Sequence, residues 1–366
     1  MRIYNYLIIV CLMAVSVALS GCGATDSPMP VPEGDVRLSL TIAVDEVASS
    51  RAPSGDYDPG SGYENYIGVA QGDFAVYLLD EIANTVLSQI DQMYLTEVAT
   101  GNHKNYRLDF ALDRSLYGRL QGRSVKVLFL ANWRVYPRVS SGATLKSIVN
   151  DAASEMLFNP FGAALTSDTR IPMYGICRYD NLVLDPDKTC DLGTLHLLRA
   201  YAKTEIIDGS DKAGKHKIAS VSLIGYNNRA AKAPYDVYDE SDYVKGNWDD
   251  DYGVAPSIPG SAIVVDTPTG FGPVGDDSFV IYCPEFKNEG VAADERARML
   301  VTYTDGQKYY VDYKDYDTGA PFDIRRNYYY KFTVKRREYT VTVEADVLPY
   351  FSVSLEPPFG IEPKEP

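Results

Sequence analysis

The chain has 366 residues, with 35 basic against 50 acidic side chains and a formal net charge of -15. That acidic excess argues against a nucleic-acid partner, because phosphate recognition needs a dense Lys/Arg surface. With 45% hydrophobic and 23% charged residues the sequence can bury real cores, unlike a disordered chain, and its length suits two domains of about 150 residues.

Residues 1–21 read as a targeting segment, with Arg2 as a short basic region and residues 7–17 as an apolar run too short to span a bilayer. Leu19-Ser20-Gly21 precedes Cys22, and Leu-Ser-Gly-Cys is a bacterial lipobox: small residues thread into a signal peptidase, and the Cys22 thiol is the nucleophile that takes a diacylglyceryl group. An ordinary secretory signal that happens to precede a cysteine is the alternative. Several acyl chains on one residue anchor stably, since each buried methylene contributes about 0.8 kcal/mol. Residues 22–34, with Pro28, Pro30 and Pro32, read as a lipidated, extended linker, so an exported, soluble body on a lipid tether is expected. Beyond the signal, no cofactor-binding motif is visible.

The first strand covers residues 36–44, where Val36, Leu38, Leu40, Ile42 and Val44 place an apolar side chain at every second position. It runs into Ser49-Ser50-Arg51-Ala52-Pro53-Ser54-Gly55 and an aperiodic Gly/Tyr/Asp-rich stretch to Gly68, read as a long exposed loop. Small-residue, Pro-containing loops are where proteases cut. A cut after Arg51 would leave the first strand held by sheet pairing alone; an ordinary loop arginine is the alternative. Residues 74–79 and 125–130 are apolar runs of strand length. Within residues 143–156 the spacing turns helical, with Leu145, Ile148, Val149 and Ala152 on one face, which predicts a single surface helix among strands.

Residues 195–207 and 217–225 read as strands, and residues 226–275 as a loop-rich insertion. Residues 299–304 and 307–313 flank Asp305-Gly306, a hairpin signal for a type I′ turn. Residues 327–335 and 339–347 are two more alternating strands, with the turn expected at Arg336-Arg337. Regular short strands with turn chemistry and little helix predict an all-β fold of two sandwiches, spanning 35–190 and 191–350, with one or two short helices. The 29 Tyr against 12 Phe and 2 Trp support this, since tyrosine fits half-buried pleated surfaces.

Chemistry has few carriers. His103, His196 and His216 stand far apart with no ligand spacing, and no catalytic or nucleotide-binding motif is present. Asp249-Asp250-Asp251 reads as a solvated acidic loop or a calcium site, without the ligand spacing of an EF loop. A glycosidase needs two facing carboxylates, whose separation a sequence does not reveal. The Tyr-rich window of residues 303–339 reads as cross-strand pairs or as a sugar-stacking platform. Cys11 leaves with the signal and Cys22 is acylated, so Cys177, Cys190 and Cys283 remain: a Cys177–Cys190 bridge, or buried unpaired thiols.

The ordered set of lipobox, first strand ending at Ser50-Arg51-Ala52, Arg170-Ile171-Pro172-Met173-Tyr174-Gly175, Leu198-Arg199-Ala200-Tyr201-Ala202-Lys203, and Arg326-Asn327-Tyr328-Tyr329-Tyr330-Lys331-Phe332-Thr333-Val334 before a strand ending at Leu348-Pro349-Tyr350 resembles the Bacteroidetes fimbrillin family of type V pilins and accessory subunits. The resemblance implies two transthyretin-like β-sandwiches, an outer-membrane lipoprotein, a structural role without catalysis, and other fimbrial subunits as partners in a homo- or hetero-polymer. It further implies cleavage by a trypsin-like, Arg-specific protease at the position matched by Arg51. The first strand, with Val36, Leu38, Leu40, Ile42 and Val44, is then displaced, and a neighbour's C-terminal segment fills the groove. The tail Phe351-Ser352-Val353-Ser354-Leu355 alternates as a donor should, with Phe351, Val353 and Leu355 on one face. It then meets Glu356-Pro357-Pro358, and prolines give no ladder donor, so a tip or anchor role stays open beside a shaft role. The alternative from another class is a monomeric surface lipoprotein that binds carbohydrate through Tyr-rich surfaces.

Overall fold

The computed structural model describes residues 36–44, 65–100, 103–149, 156–157, 170–210, 216–226, 229–230, 232–233, 263–265, 278–337 and 340–349. In chain order the strands are β1 (Val36–Ala43), β2 (Phe74–Asp80), β3 (Val86–Gln89), β4 (Met93–Thr100), β5 (His103–Leu112), β6 (Arg123–Ala131), β7 (Met156–Leu157), β8 (Met173–Leu182), β9 (Cys190–His196) and β10 (Leu198–Arg199). They continue as β11 (Tyr201–Asp208), β12 (Ile218–Ile224), β13 (Arg229–Ala230), β14 (Ile263–Val265), β15 (Ser278–Pro284), β16 (Arg298–Tyr303), β17 (Lys308–Asp312), β18 (Tyr328–Arg337) and β19 (Thr340–Pro349).

Four sheets carry the fold: I, ordered β4-β5-β1-β9; II, β10-β8-β6-β2-β3; III, β15-β11-β18-β19; and IV, β14-β12-β16-β17, with a small β13-β7 pair besides. The expected all-β sandwich architecture is present. Sheets I and II enclose one core, where Leu38, Leu40 and Ile42 join Val76, Leu78, Leu108, Phe110, Val127 and Phe129. A second core holds Ile206, Val221, Phe279, Ile281, Met299, Val301, Tyr313 and Phe332. It reaches the other face of sheet II through Tyr77, Leu79, Leu128, Leu130, Tyr174 and Ile176. Sheet II is thus covered on both faces, which is why residues 74–79 of β2 and the last five residues of β6 are continuous apolar runs instead of alternating ones.

Several local expectations change in the structure. The run 195–207 is not one strand: β9 belongs to sheet I, β10 to sheet II and β11 to sheet III. Extended backbone therefore continues while its partners change, and the expected domain boundary near residue 190 falls at the start of a strand still in sheet I. Arg336 and Arg337 do not form a turn; they are the last residues of β18, paired with Val341 and Thr340.

The Asp305-Gly306 hairpin forms, but as a three-residue loop. Gly306 N donates to Tyr303 O at 2.9 Å, Tyr303 N donates to Gln307 O at 2.9 Å, and only the glycine of the pair has positive φ, +83°. Three-residue loops of this kind are typically closed by a left-handed glycine, so Asp305 needs no positive φ.

The helix at Leu145–Val149 buries Leu145, Ile148 and Val149 against the second core; Ala152 lies outside the described residues. A second helix, Arg114–Leu120, falls within the expected one or two, at a position the sequence reading did not assign. Asp113 caps it, its Oδ1 accepting from Ser115 N and Leu116 N at 2.8 Å each, and Leu116 and Leu120 turn one face into the first core. The signal was present as an N-cap aspartate followed by leucines four residues apart.

Candidate functional site

The expected removable strand lies in the interior of sheet I. Every residue of β1 pairs antiparallel with β5, from Val36 with Leu112 to Ala43 with Asn105. On its other edge β1 runs parallel to β9, Leu38 with Cys190 through Ala43 with His196. The period-2 pattern explains the orientation: Val36, Leu40 and Ile42 are fully buried, Leu38 and Val44 are 2% exposed, and Arg37 and Thr41 face out. Because a one-residue slip would turn every apolar side chain to solvent, the register is strongly specified.

The two edges of β1 are not equivalent. Opposite Ser39 and Thr41, β9 carries an extra residue between Asp191 and Thr194, and Gly193 there has φ +78°. Gly193 N donates to the Asp191 side chain at 2.9 Å instead of to the ladder. A bulge interrupts pairing locally, so the β5 edge is the continuous one. Among the described residues, strand β9 lies at the edge of sheet I with β1 as its sheet neighbour. Taking β1 out would therefore open two ladders and five apolar pockets, each side chain worth about 1.5–3 kcal/mol of burial, and leave β9 held by Leu192, Leu195 and Leu197 in the core and by Tyr179 OH donating to Leu192 O at 2.9 Å.

The next described residue after Val44 is Asn65, beside the Ile42 end of β1. Tyr106, the cross-strand partner of Ile42, accepts from Ile67 N at 2.8 Å through its hydroxyl, which donates to Asn65 O at 3.3 Å. Burial pushes the Tyr106 phenol well above its ordinary range, so it stays a neutral donor and acceptor.

The motif stretches that carry the family resemblance meet where sheet membership changes. Ala200 N donates to Pro172 O at 2.8 Å, and Asn327 N donates to Tyr201 O at 3.0 Å. The buried Arg199 guanidinium donates to Asn327 Oδ1 at 3.0 Å, and Asn327 holds φ +58°, a left-handed conformation that asparagine tolerates. Beside it the buried Arg326 makes a bidentate pair with Glu285, at 2.8 and 3.0 Å. Gly175 allows close packing there: a Cβ would sit 2.8 Å from His196 O and closer still to the Leu195 and Leu197 side chains. The sequence showed these residues as an ordered set without revealing that they form one junction.

Other expected site residues separate. Cys22, Arg51, Phe351, Val353, Leu355 and Asp249-Asp250-Asp251 lie outside the described residues. The three thiols are free: Cys177 and Cys283 are buried, each pushed up to about 12 by desolvation, and Cys190 is half-buried, its sulfur accepting from Asp185 N at 3.1 Å. In the Tyr-rich window, Tyr303, Tyr313, Tyr329 and Tyr330 are buried, and Tyr313 meets Phe322, Tyr330 and Phe332 edge-on at 5.4–6.2 Å. Tyr310 is 53% exposed, but the Arg298 guanidinium lies 4.0 Å over its ring. These tyrosines are chiefly packing material. Among the described residues no cluster of three or more His, Cys, Asp or Glu side chains could hold a metal ion, and no helix is long and apolar enough to cross a membrane.

No family model and no curated protein matches the sequence. Among solved structures, the fold is similar to that of the tip fimbrial protein Mfa3 from Porphyromonas gingivalis, crystallised with a C-terminal truncation, with a TM-score of 0.53 at 12% identity over 86% of this chain and 99% of that one. A fimbrial assembly protein from Parabacteroides distasonis aligns at 12% identity over 86% of this chain and 98% of that one, with a TM-score of 0.44. At this identity the likeness to Mfa3 is one of fold: the chain has the β-sandwich fold seen in Bacteroidetes fimbrial proteins.

Proposed function

We propose that the protein is a non-enzymatic subunit of a cell-surface fimbria, exported as an outer-membrane lipoprotein acylated on Cys22 and assembled by protease-triggered strand exchange. The observation that carries the reading is β1: a first strand, alternating and fully inserted between β5 and β9, followed directly by the segment that contains Arg51. A cut there leaves the strand attached by non-covalent contacts alone. Its departure exposes ladder N–H and C=O groups together with an apolar slot, which an incoming strand satisfies by backbone hydrogen bonds and alternate side-chain pockets. The likeness of fold to a fimbrial tip protein supports the same reading.

The chain's own tail is a short donor. Phe351, Val353 and Leu355 match three of the five pockets vacated by Val36, Leu38, Leu40, Ile42 and Val44, and Pro357-Pro358 then removes two successive donors. A terminal position in a hetero-polymer, tip or anchor, follows more readily than a repeating shaft.

The test treats the purified chain lacking residues 1–22 with an Arg-specific, trypsin-like protease, alone and with candidate partner subunits. Cleavage at Arg51 followed by denaturant-resistant ladders or one-to-one complexes is the expected result. A chain that resists cleavage at Arg51, or is cut there and accepts no strand, overturns the reading. Radiolabelled palmitate incorporated into the full chain and lost in Cys22→Ala checks the anchor separately.

A further inference from the structure

We infer that residues 65–68 form a clasp that ends the releasable segment, so that cutting within residues 45–64 frees β1 while the downstream chain stays seated. The inference rests on the strand-exchange reading for its purpose, but the hydrogen bonds of the clasp do not involve β1. Tyr106 OH bridges Ile67 N and Asn65 O. Asn132 grips the next residues with both ends of its amide: Oδ1 accepts from Gly68 N at 3.0 Å, and Nδ2 donates to Tyr66 O and to Ile171 O, each at 2.8 Å. The Arg199 guanidinium donates to Asn65 Oδ1 and to Asn327 Oδ1. Ile67 is fully buried in the first core, Asn65 is 2% exposed, and Arg170, paired to Asp73 at 2.8 Å, lies 5.3 Å over the Tyr66 ring.

The holders keep their own supports when β1 leaves. Tyr106 stays paired through β5 to Glu97 of β4. Asn132 follows β6, its backbone N donating to Asp73 O at 2.8 Å, and Arg199 is in β10; both strands belong to sheet II. Asn132 holds φ +61°, which asparagine tolerates and which aims its amide at the clasp. The clasp also sits against the Ile42 end of the slot, because Tyr106 is the partner of Ile42, so it fixes where an incoming strand must stop.

The test uses the full chain with a site-specific protease sequence installed within residues 45–64, so that the cut does not depend on Arg51. Hydrogen exchange is followed at the amides of Leu38 and Leu40 and at those of Ile67 and Gly68, before and after cutting. The expected result is acceleration of the β1 amides by a hundredfold or more, with Ile67 and Gly68 within threefold of the uncut chain. In the uncut chain, Tyr106→Phe speeds Ile67 about tenfold, the loss of one hydrogen bond, and leaves Leu38 unchanged; Asn132→Gly, which accepts the positive φ, does the same for Gly68. Acceleration of Ile67 and Gly68 together with β1 overturns the clasp, as does an Ile67 amide indifferent to Tyr106→Phe. If cutting leaves the β1 amides as slow as before, strand exchange fails instead, and the two variants still decide the clasp in the uncut chain.

Discussion

Replacing Leu40 by alanine is the most direct probe of β1. Leu40 is fully buried, sits midway along the strand opposite Leu108, and faces the first core together with Phe110 and Val127. Buried Leu→Ala changes cost about 2.7–5.0 kcal/mol, the upper end applying where neighbours do not collapse into the cavity. Here both edges of the strand are pinned by ladders, so about 3–4 kcal/mol is expected for the intact chain, read from urea unfolding by far-UV circular dichroism. Thr41 projects to solvent from the same strand, and Thr41→Ala should cost less than about 1 kcal/mol. In a chain cut after Arg51 the same cavity acts on a non-covalent complex, so Leu40→Ala should speed release of the β1 fragment by about two to three powers of ten. Equal effects of the two substitutions on either measurement would refute the register, and with it the idea that this strand is a plug with one buried face.

Further expectations follow from particular contacts. Glu285→Ala leaves the fully buried Arg326 without its bidentate partner and should cost about 3–5 kcal/mol, whereas Glu344→Ala, which breaks an exposed pair with Lys335, should cost no more than about 1 kcal/mol in the same unfolding assay. The Asp305 carboxyl is held down to about 2, first by its hydrogen bond from the Arg336 side chain. Its stabilising contribution is therefore complete above the unfolded value near 4 and lost as the pH falls through about 2; Asp305→Asn should flatten the acid limb of a stability-against-pH curve measured between those values. In the chain lacking residues 1–22, a thiol-reactive reagent at pH 8 should label Cys190 in minutes and Cys177 and Cys283 on unfolding, since burial keeps both of the latter protonated. Rapid labelling of all three would contradict the core assignments.

The parts of this protein that its sequence determined by itself are those governed by local geometry. Alternation along residues 36–44 announces which face of β1 is buried, because successive strand side chains point to opposite sides. Helical spacing placed Leu145, Ile148 and Val149 on one inward face, and Asp305-Gly306 located a hairpin, since few residue pairs accept the backbone a tight loop demands. The Leu-Ser-Gly-Cys stretch at Cys22, read as a lipobox, and Arg51, read as a processing site, are proposals from local chemistry that need no fold to be made.

Tertiary structure decided what pairs with what. Nothing in residues 190–196 says that they lie parallel to β1, because the partner of a strand is chosen by the packing of the whole sandwich. The same dependence split residues 195–207 among three sheets and buried both faces of sheet II. It also gathered Pro172, Arg199 and Asn327, distant in sequence, around the junction at which the chain passes from sheet II to sheet III. The physical reason is one of range: backbone dihedrals answer to neighbours a few residues away, whereas the clasp hydrogen bonds of Tyr106, Asn132 and Arg199 answer to residues 39 to 134 positions distant, whose proximity exists only once the core has closed.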